Sequence, residues 1–275
     1  MPTKSWYLLP GAPHVGKMTR SITRRRFVNL SLAAVGGALL KMSGAVAAAV
    51  VSRGSARLWP RPGKPARPAQ LGRHNLGLAK GRDGLLSVPA SYTPKTPIPL
   101  ILMLHGRWER AAGLEIFCEN AAKLGIAVAL PDSRGRTWDL FLGGFGPDID
   151  FLNRVLAFTF DCVAIDVRRV AIAGFSDGAS YALSVGLANG DLFTHVIAYS
   201  PGTVAPPSLR GAPSLFITHG TQDRVLPIDA NSRRAVRALK QAGYDVVYEE
   251  FNGGHTIKAD LVQESFRWFT GRRKR

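Results

Sequence analysis

The chain has 275 residues, 46% hydrophobic and 20% charged, which is enough apolar material for one substantial core and excludes extended disorder. A formal charge of +17 invites a nucleic-acid partner, but the excess lies at the ends. Seven basic and no acidic residues fall in residues 1–50, six more in 51–73 and four in 272–275, leaving 19 of each sign in 74–271 and little support for a nucleic-acid-binding body.

The first segment reads as an address. Thr23, Arg24, Arg25, Arg26, Phe27 and Val28 precede a weakly apolar run from Leu30 to Leu40, followed by Lys41 and an Ala-rich stretch to Val51. That order resembles an export signal of the twin-arginine type, which implies the export machinery as a partner and a periplasmic or extracellular location. Ala45, Val46 and Ala47 offer an A-x-A cleavage site, with Ala49 a second option, and Met18 is a candidate true start. A membrane anchor is the competing reading of Leu30 to Val51. Lys41 and the glycines Gly36, Gly37 and Gly44 make it a poor span. Residues 1–50 therefore read as a signal. Residues 51–73, with Pro60, Pro62, Pro65 and Pro68 among arginines, read as an extended, unpacked linker. With the tail at 272–275, this basic linker offers a weak contact with anionic surfaces.

From residue 74 the chain changes character. His74 to Lys80 and Leu85 to Val88 read as a hairpin with an Asp-Gly turn at Asp83 and Gly84. Short apolar runs follow at Ile98 to Leu104, Ile126 to Leu130, Val170 to Ala173, Val196 to Tyr199, Leu215 to Thr218 and Val246 to Phe251. Runs without alternation suit strands covered on both faces. Helical spacing fills 112–124, 148–163, 177–189, 229–242 and 259–270. The expectation is a doubly wound, mostly parallel α/β sheet with helices on both faces, no lid domain, and the site at the carboxyl ends of the strands. Cys118 and Cys162 read as buried free thiols rather than a bridge.

Gly174, Phe175, Ser176, Asp177 and Gly178 form G-x-S-x-G between a strand and a helix, where a sharp turn would project the Ser176 hydroxyl above the sheet. A serine nucleophile needs a base and the base an orienting acid. Asp223 follows the Leu215 to Thr218 strand and His255 follows the Val246 to Phe251 strand, so both reach the face that Ser176 occupies. His105 and His219 also reach that face, each in a His-Gly turn where loop support suffices to explain it. Asp229, at a helix start, and Asp132, at another strand end, are rival acids. The amides of Asp177 and Arg107 are the candidate oxyanion hole. Trp108, Trp138, Phe141 and Phe145 are candidate substrate-binding residues, and Arg107, Arg110, Arg134 and Arg136 gather nearby as a candidate anion site.

With Leu104-His105-Gly106, Pro131-Asp132-Ser133-Arg134-Gly135, Gly174-Phe175-Ser176-Asp177-Gly178, His219-Gly220-Thr221-Gln222-Asp223-Arg224-Val225-Leu226-Pro227 and Gly253-Gly254-His255 in place, residues 75–270 resemble the α/β-hydrolase superfamily. The likeness is to its lidless phospholipase/carboxylesterase-like and dienelactone-hydrolase-like esterases, which include polyhydroxyalkanoate-depolymerase-like and feruloyl-esterase-like members. It implies a catalytic domain over 74–271 with Ser176 as nucleophile, His255 as base, Asp223 as acid, no cofactor and no metal. These motifs say little of the substrate; the absence of room for a lid makes a carboxylic ester with a short-chain or aromatic acyl group a better fit than a long triglyceride. A peptidase or phospholipase of the superfamily, or a non-catalytic binding protein on the same fold, is the alternative. Arg107 departs from the small or apolar residue such loops often carry, and leaves the acyl pocket's shape open.

Overall fold

A computed structural model describes residues 54–271. The signal and the basic tail lie outside them. Eight strands form one sheet in the order β1-β2-β4-β3-β5-β6-β7-β8. They are β1 (Gly72–Asn75), β2 (Gly84–Val88), β3 (Ile98–Leu104), β4 (Ala127–Pro131), β5 (Ile165–Phe175), β6 (His195–Tyr199), β7 (Ser214–Gly220) and β8 (Val246–Phe251). β1 and β2 pair antiparallel, β2 runs antiparallel to β4, and every pairing from β4 to β8 is parallel. Five α-helices cover the faces: α1 (Glu115–Ala122), α2 (Pro147–Cys162), α3 (Asp177–Ala188), α4 (Arg234–Gln241) and α5 (Ala259–Phe269). This is the expected doubly wound α/β sheet.

The apolar runs are continuous because alternate residues enter two different cores. Along β3, Leu100, Leu102 and Leu104 meet α2 and α3, while Ile101 and Met103 meet α1 and α5. β5 does the same, with Val170 and Ile172 on one side and Ala171 and Ala173 on the other. The two thiols follow this division. Cys118 belongs to the second core and Cys162 to the first, both buried and both free.

Two local expectations change. The hairpin connection is longer than the expected four residues Gly81 to Gly84: the first strand ends at Asn75, which pairs with Leu85, and residues 76–83 form a loop. The Asp83 carboxylate builds it by accepting from the amides of Gly77, Leu78 and Ala79, an arrangement more favourable than a bare turn because three donors are satisfied at once.

The second correction concerns 51–73, whose described part is not an unpacked linker. Residues 54–71 run across the molecule as a strap that places Ala56 and Leu58 in the first core. Asn189, fully buried at the end of α3, receives it: its Oδ1 accepts from the Leu58 amide at 2.9 Å and its Nδ2 donates to the Ala56 carbonyl at 2.7 Å. Arg57 and Arg61 pair with Asp191, and Arg67 with Asp161. The prolines keep the strap extended and the backbone finds its partners elsewhere. Three of its arginines are thus paired with carboxylates of the folded body. Leu58→Ala is expected to cost about 3 kcal/mol, as buried leucines do. A solvated linker residue would cost less than about 0.5 kcal/mol, and urea denaturation separates the two.

Candidate active site

The parallel strands all end on one edge, and the chemistry sits there. Among the described residues, three non-glycine residues have positive φ, namely Trp108 (66°), Ser176 (55°) and Ser200 (49°), and each follows a strand at that edge. Such backbone is costly and persists where surroundings enforce it. At Ser176 the enforcement is visible. The turn from β5 into α3 brings backbones so close that a Cβ on Gly174 would lie 2.3 Å from the Gly178 carbonyl. One on Gly178 would lie 2.4 Å from the carbonyl oxygens of both Leu104 and His105. The glycines allow β3, β5 and α3 to close around the turn, and the Ser176 amide donates to Tyr199 O at 3.0 Å.

Ser176, His255 and Asp223 meet. Asp223 Oδ2 lies 2.6 Å from His255 Nδ1, and His255 Nε2 lies 2.8 Å from Ser176 Oγ. A carboxylate only accepts, so Nδ1 carries the imidazole proton and Nε2 is free to accept from the serine hydroxyl. The amides of Val225 and Leu226 donate to Asp223 Oδ1. Burial alone would raise the Asp223 carboxyl, but the Leu226 amide, His255 and the Val225 amide outweigh it and hold it below its ordinary value. The Phe175 ring lies against the His255 ring, with centroids 4.9 Å apart.

The rival acids do other work. Asp132 Oδ1 accepts from the Ala111 amide at 2.7 Å, and Asp229, exposed, pairs with Arg233 and caps nothing. His105 supports its loop as expected: it is buried, donates from Nδ1 to Gly106 O and accepts at Nε2 from the Ser133 amide. Burial lowers its pKa.

The candidate oxyanion donors stand together. Asp177 begins α3, so its amide has no partner within the helix, and among the described residues the Arg107 amide meets no acceptor. The Arg107 side chain is half exposed yet anchored at one nitrogen. Its Nε donates to Asp177 Oδ2 at 2.7 Å, and the Thr137 hydroxyl donates to the same oxygen at 2.6 Å. The two donor loops are therefore tied to each other through their own side chains. A carboxylate at the second x of G-x-S-x-G asks for a cation nearby, and Arg107 was the signal available in the sequence.

The candidate pocket residues divide. Trp138 is fully buried, donates to His105 O and stacks on Tyr181, so it is core. Phe145 is also buried against Tyr181. Both turn inward because the 134–148 loop folds over α3 and needs an apolar underside. Phe141 packs partly on the core, with the Arg107 guanidinium above it, and Trp108 is exposed, with Arg136 over its ring. The four arginines do not form an open anion site: Arg107 is tied to Asp177, Arg110 to Asp132, Arg134 to the carbonyls of Arg82 and Asp132, and Arg136 to Trp108. A cleft of about 350 Å³ does open beside His255, with walls from Leu114, Ile116, Phe117, Phe175, Ile257 and Val262. Except for Phe175, quoted as part of the motif, these residues gave no sequence signal beyond ordinary helix and loop apolarity.

The 134–148 loop is held by two buried carboxylates. Asp148 accepts from the amides of Arg134 and Asp139, and Asp139 accepts from the Tyr181 hydroxyl and the amides of Gly146 and Asp148. Burial, with Asp139 close by, pushes the Asp148 carboxyl up to about 6. The folded chain therefore binds this proton before the unfolded chain does. From this group stability rises as pH falls from 7 through 6 toward 4, and the gain is absent above pH 7. The Asp148 ¹³Cγ resonance is expected to titrate with a midpoint near 6, and a midpoint below about 4, the ordinary value, would refute this.

Residues 153–268, which include Ser176, Asp223 and His255, match the Phospholipase/Carboxylesterase family. Feruloyl esterase C of Emericella nidulans is 24% identical over 197 residues, covering 66% of this chain and 70% of that protein. S-formylglutathione hydrolase from Staphylococcus aureus superposes with a TM-score of 0.60 at 15% identity, covering 75% of this chain and 99% of the other. A ferulic acid esterase from Anaeromyces mucronatus, in complex with ferulic acid, superposes with a TM-score of 0.54 at 18% identity, covering 71% and 88%.

Proposed function

We propose that this chain, an α/β-hydrolase and a carboxylic ester hydrolase, cleaves small esters with short-chain or aromatic acyl groups by two-step acyl transfer through Ser176. The observation that carries the reading is the hydrogen-bonded line from Asp223 through His255 to Ser176 Oγ. Ser176 attacks the ester carbonyl carbon as its proton passes to His255 Nε2. The carbonyl oxygen takes the negative charge and accepts from the amides of Arg107 and Asp177. The C–O bond then breaks, and the departing alcohol takes the proton from His255. Water, deprotonated by His255, attacks the acyl-serine carbonyl, and the acid leaves with Ser176 restored. Asp223 stays ionised throughout and pairs with the imidazolium.

The cleft beside His255 supports the choice of acyl group: it is mostly apolar, open, and of a size for one ring or a short chain rather than a long lipid tail. The feruloyl esterase likeness points the same way. Export through the N-terminal signal belongs to the same proposal, with cleavage after Ala47 or Ala49 expected from peptide mapping of the secreted protein.

The deciding experiment compares p-nitrophenyl acetate, butyrate and palmitate with a feruloyl ester, alongside fluorophosphonate labelling. An adduct at Ser176 is expected, with kcat/KM falling at least about 100-fold from butyrate to palmitate, within the roughly 10–200-fold that even one misfitting methylene can supply. Equal rates on palmitate would overturn the substrate class. An adduct elsewhere, or none, would overturn the serine.

A further inference from the structure

The sequence suggests loop support for His219, and its contacts assign it more. It is wholly buried near the end of β7. Its Nε2 lies 2.8 Å from Leu226 O and 3.1 Å from Asp223 Oδ2, and its Nδ1 lies 2.6 Å from Ser232 Oγ. A carbonyl oxygen only accepts, so Nε2 carries the proton. Nδ1 then accepts from the Ser232 hydroxyl, which pins that tautomer. The ring is a neutral donor, and burial lowers its pKa further.

We propose that His219 is a positioning residue for the reaction above, an imidazole beside the carboxylate oxygen of Asp223 that receives His255, acting on that carboxylate through Leu226, whose carbonyl it binds and whose amide donates to Oδ1. Oδ1 accepts two amides and Oδ2 the His255 N–H, with His219 Nε2 3.1 Å from Oδ2 and its own proton directed to Leu226 O, so the carboxylate is held by three donors with the His219 N–H dipole beside them. This lowers its basicity: Asp223 orients His255 and balances the imidazolium without drawing the proton across. The same Nε2 holds Leu226 O, which closes the 220–226 turn carrying Asp223. The charged groups around this cluster are few. Glu250 of β8, the register partner of His219, is bound by Arg233, which also pairs with Asp229. Asp223 and His255 remain as the ionisable groups His219 acts on.

The inference rests on the Ser-His-Asp reading, and its test separates the two. His219→Phe, His219→Gln and Ser232→Ala are compared with the parent in kcat, KM and the pH profile of kcat/KM, using p-nitrophenyl butyrate. Loss of the Nε2–H dipole beside Oδ2, and of its hold on the Leu226 turn that feeds Oδ1, makes the carboxylate more basic and binds the imidazolium more tightly. His219→Phe is thus expected to lower kcat about tenfold, the upper worth of one hydrogen bond to a neutral carbonyl, with KM unchanged. The acidic limb is expected to move upward by about half to one pH unit. Gln can place an amide N–H where Nε2–H stood, so His219→Gln is expected to restore the limb and bring kcat within about threefold of the parent.

A Phe variant with an unmoved limb, or a Gln variant as impaired as Phe, overturns the proposal. If the Phe protein does not fold by circular dichroism, Ser232→Ala decides: it frees the tautomer, and the same upward displacement is expected, smaller in size. An unmoved limb there overturns it equally. Should the parent take no fluorophosphonate label at Ser176, the reaction itself has failed; should labelling persist while every limb stays fixed, His219 alone has.

Discussion

Ser176→Ala is expected to lower kcat/KM for p-nitrophenyl butyrate by about four to six orders of magnitude, the range seen when a triad nucleophile is removed. The alanine leaves the amides of Arg107 and Asp177 in place, so binding persists while covalent transfer is lost, and KM should change little. Asp223→Asn is expected to be milder, near 10⁴-fold, because the serine and base remain while the imidazole loses its orientation. Its carbonyl oxygen can replace only part of what two carboxylate oxygens do for Val225, Leu226 and His255. Single-turnover kinetics with active-site titration measures both, and undiminished turnover in the Ser176→Ala protein would end the proposal.

The second large effect is structural. Gly178→Ala is expected to lower stability by about 3 kcal/mol or more and to abolish labelling of Ser176. Its new Cβ meets two backbone carbonyl oxygens at 2.4 Å, neither of which can swing away as a side chain could. Relief requires β3 and α3 to separate, and that opens the gap between the amides of Arg107 and Asp177. Urea denaturation and labelling test this together. A Gly178→Ala protein of parental stability and activity would mean that the close approach has no role in shaping the turn.

Much of this was legible in the residues because both the sheet and the nucleophile turn impose local patterns. Leu100 to Leu104 had to be apolar at every position to satisfy two cores, and a serine flanked by glycines where a strand runs into a helix points to little besides a nucleophile turn. Asp223 and His255 could be found because consecutive parallel strands deliver their ends to one edge. The strap was not legible: its prolines and arginines are what a solvated segment carries, and its anchors are two small patches, Ala56 and Leu58, whose partner Asn189 is more than 130 positions away. Trp138 and Phe145 resemble pocket residues in the sequence because an aromatic in a glycine-rich loop has no periodicity to say which way it faces. His219 and Thr137 depend on contacts among loops that converge only after folding, so no spacing in the chain announces them.

Cys118 and Cys162 lie in separate cores with the full thickness of the sheet between them. Burial raises the pKa of both thiols, which suppresses the thiolate that any exchange reaction needs. The fold consequently carries no covalent staple to gain or lose when the redox potential of its surroundings changes. Its melting temperature is expected to be the same in dithiothreitol and in oxidised glutathione.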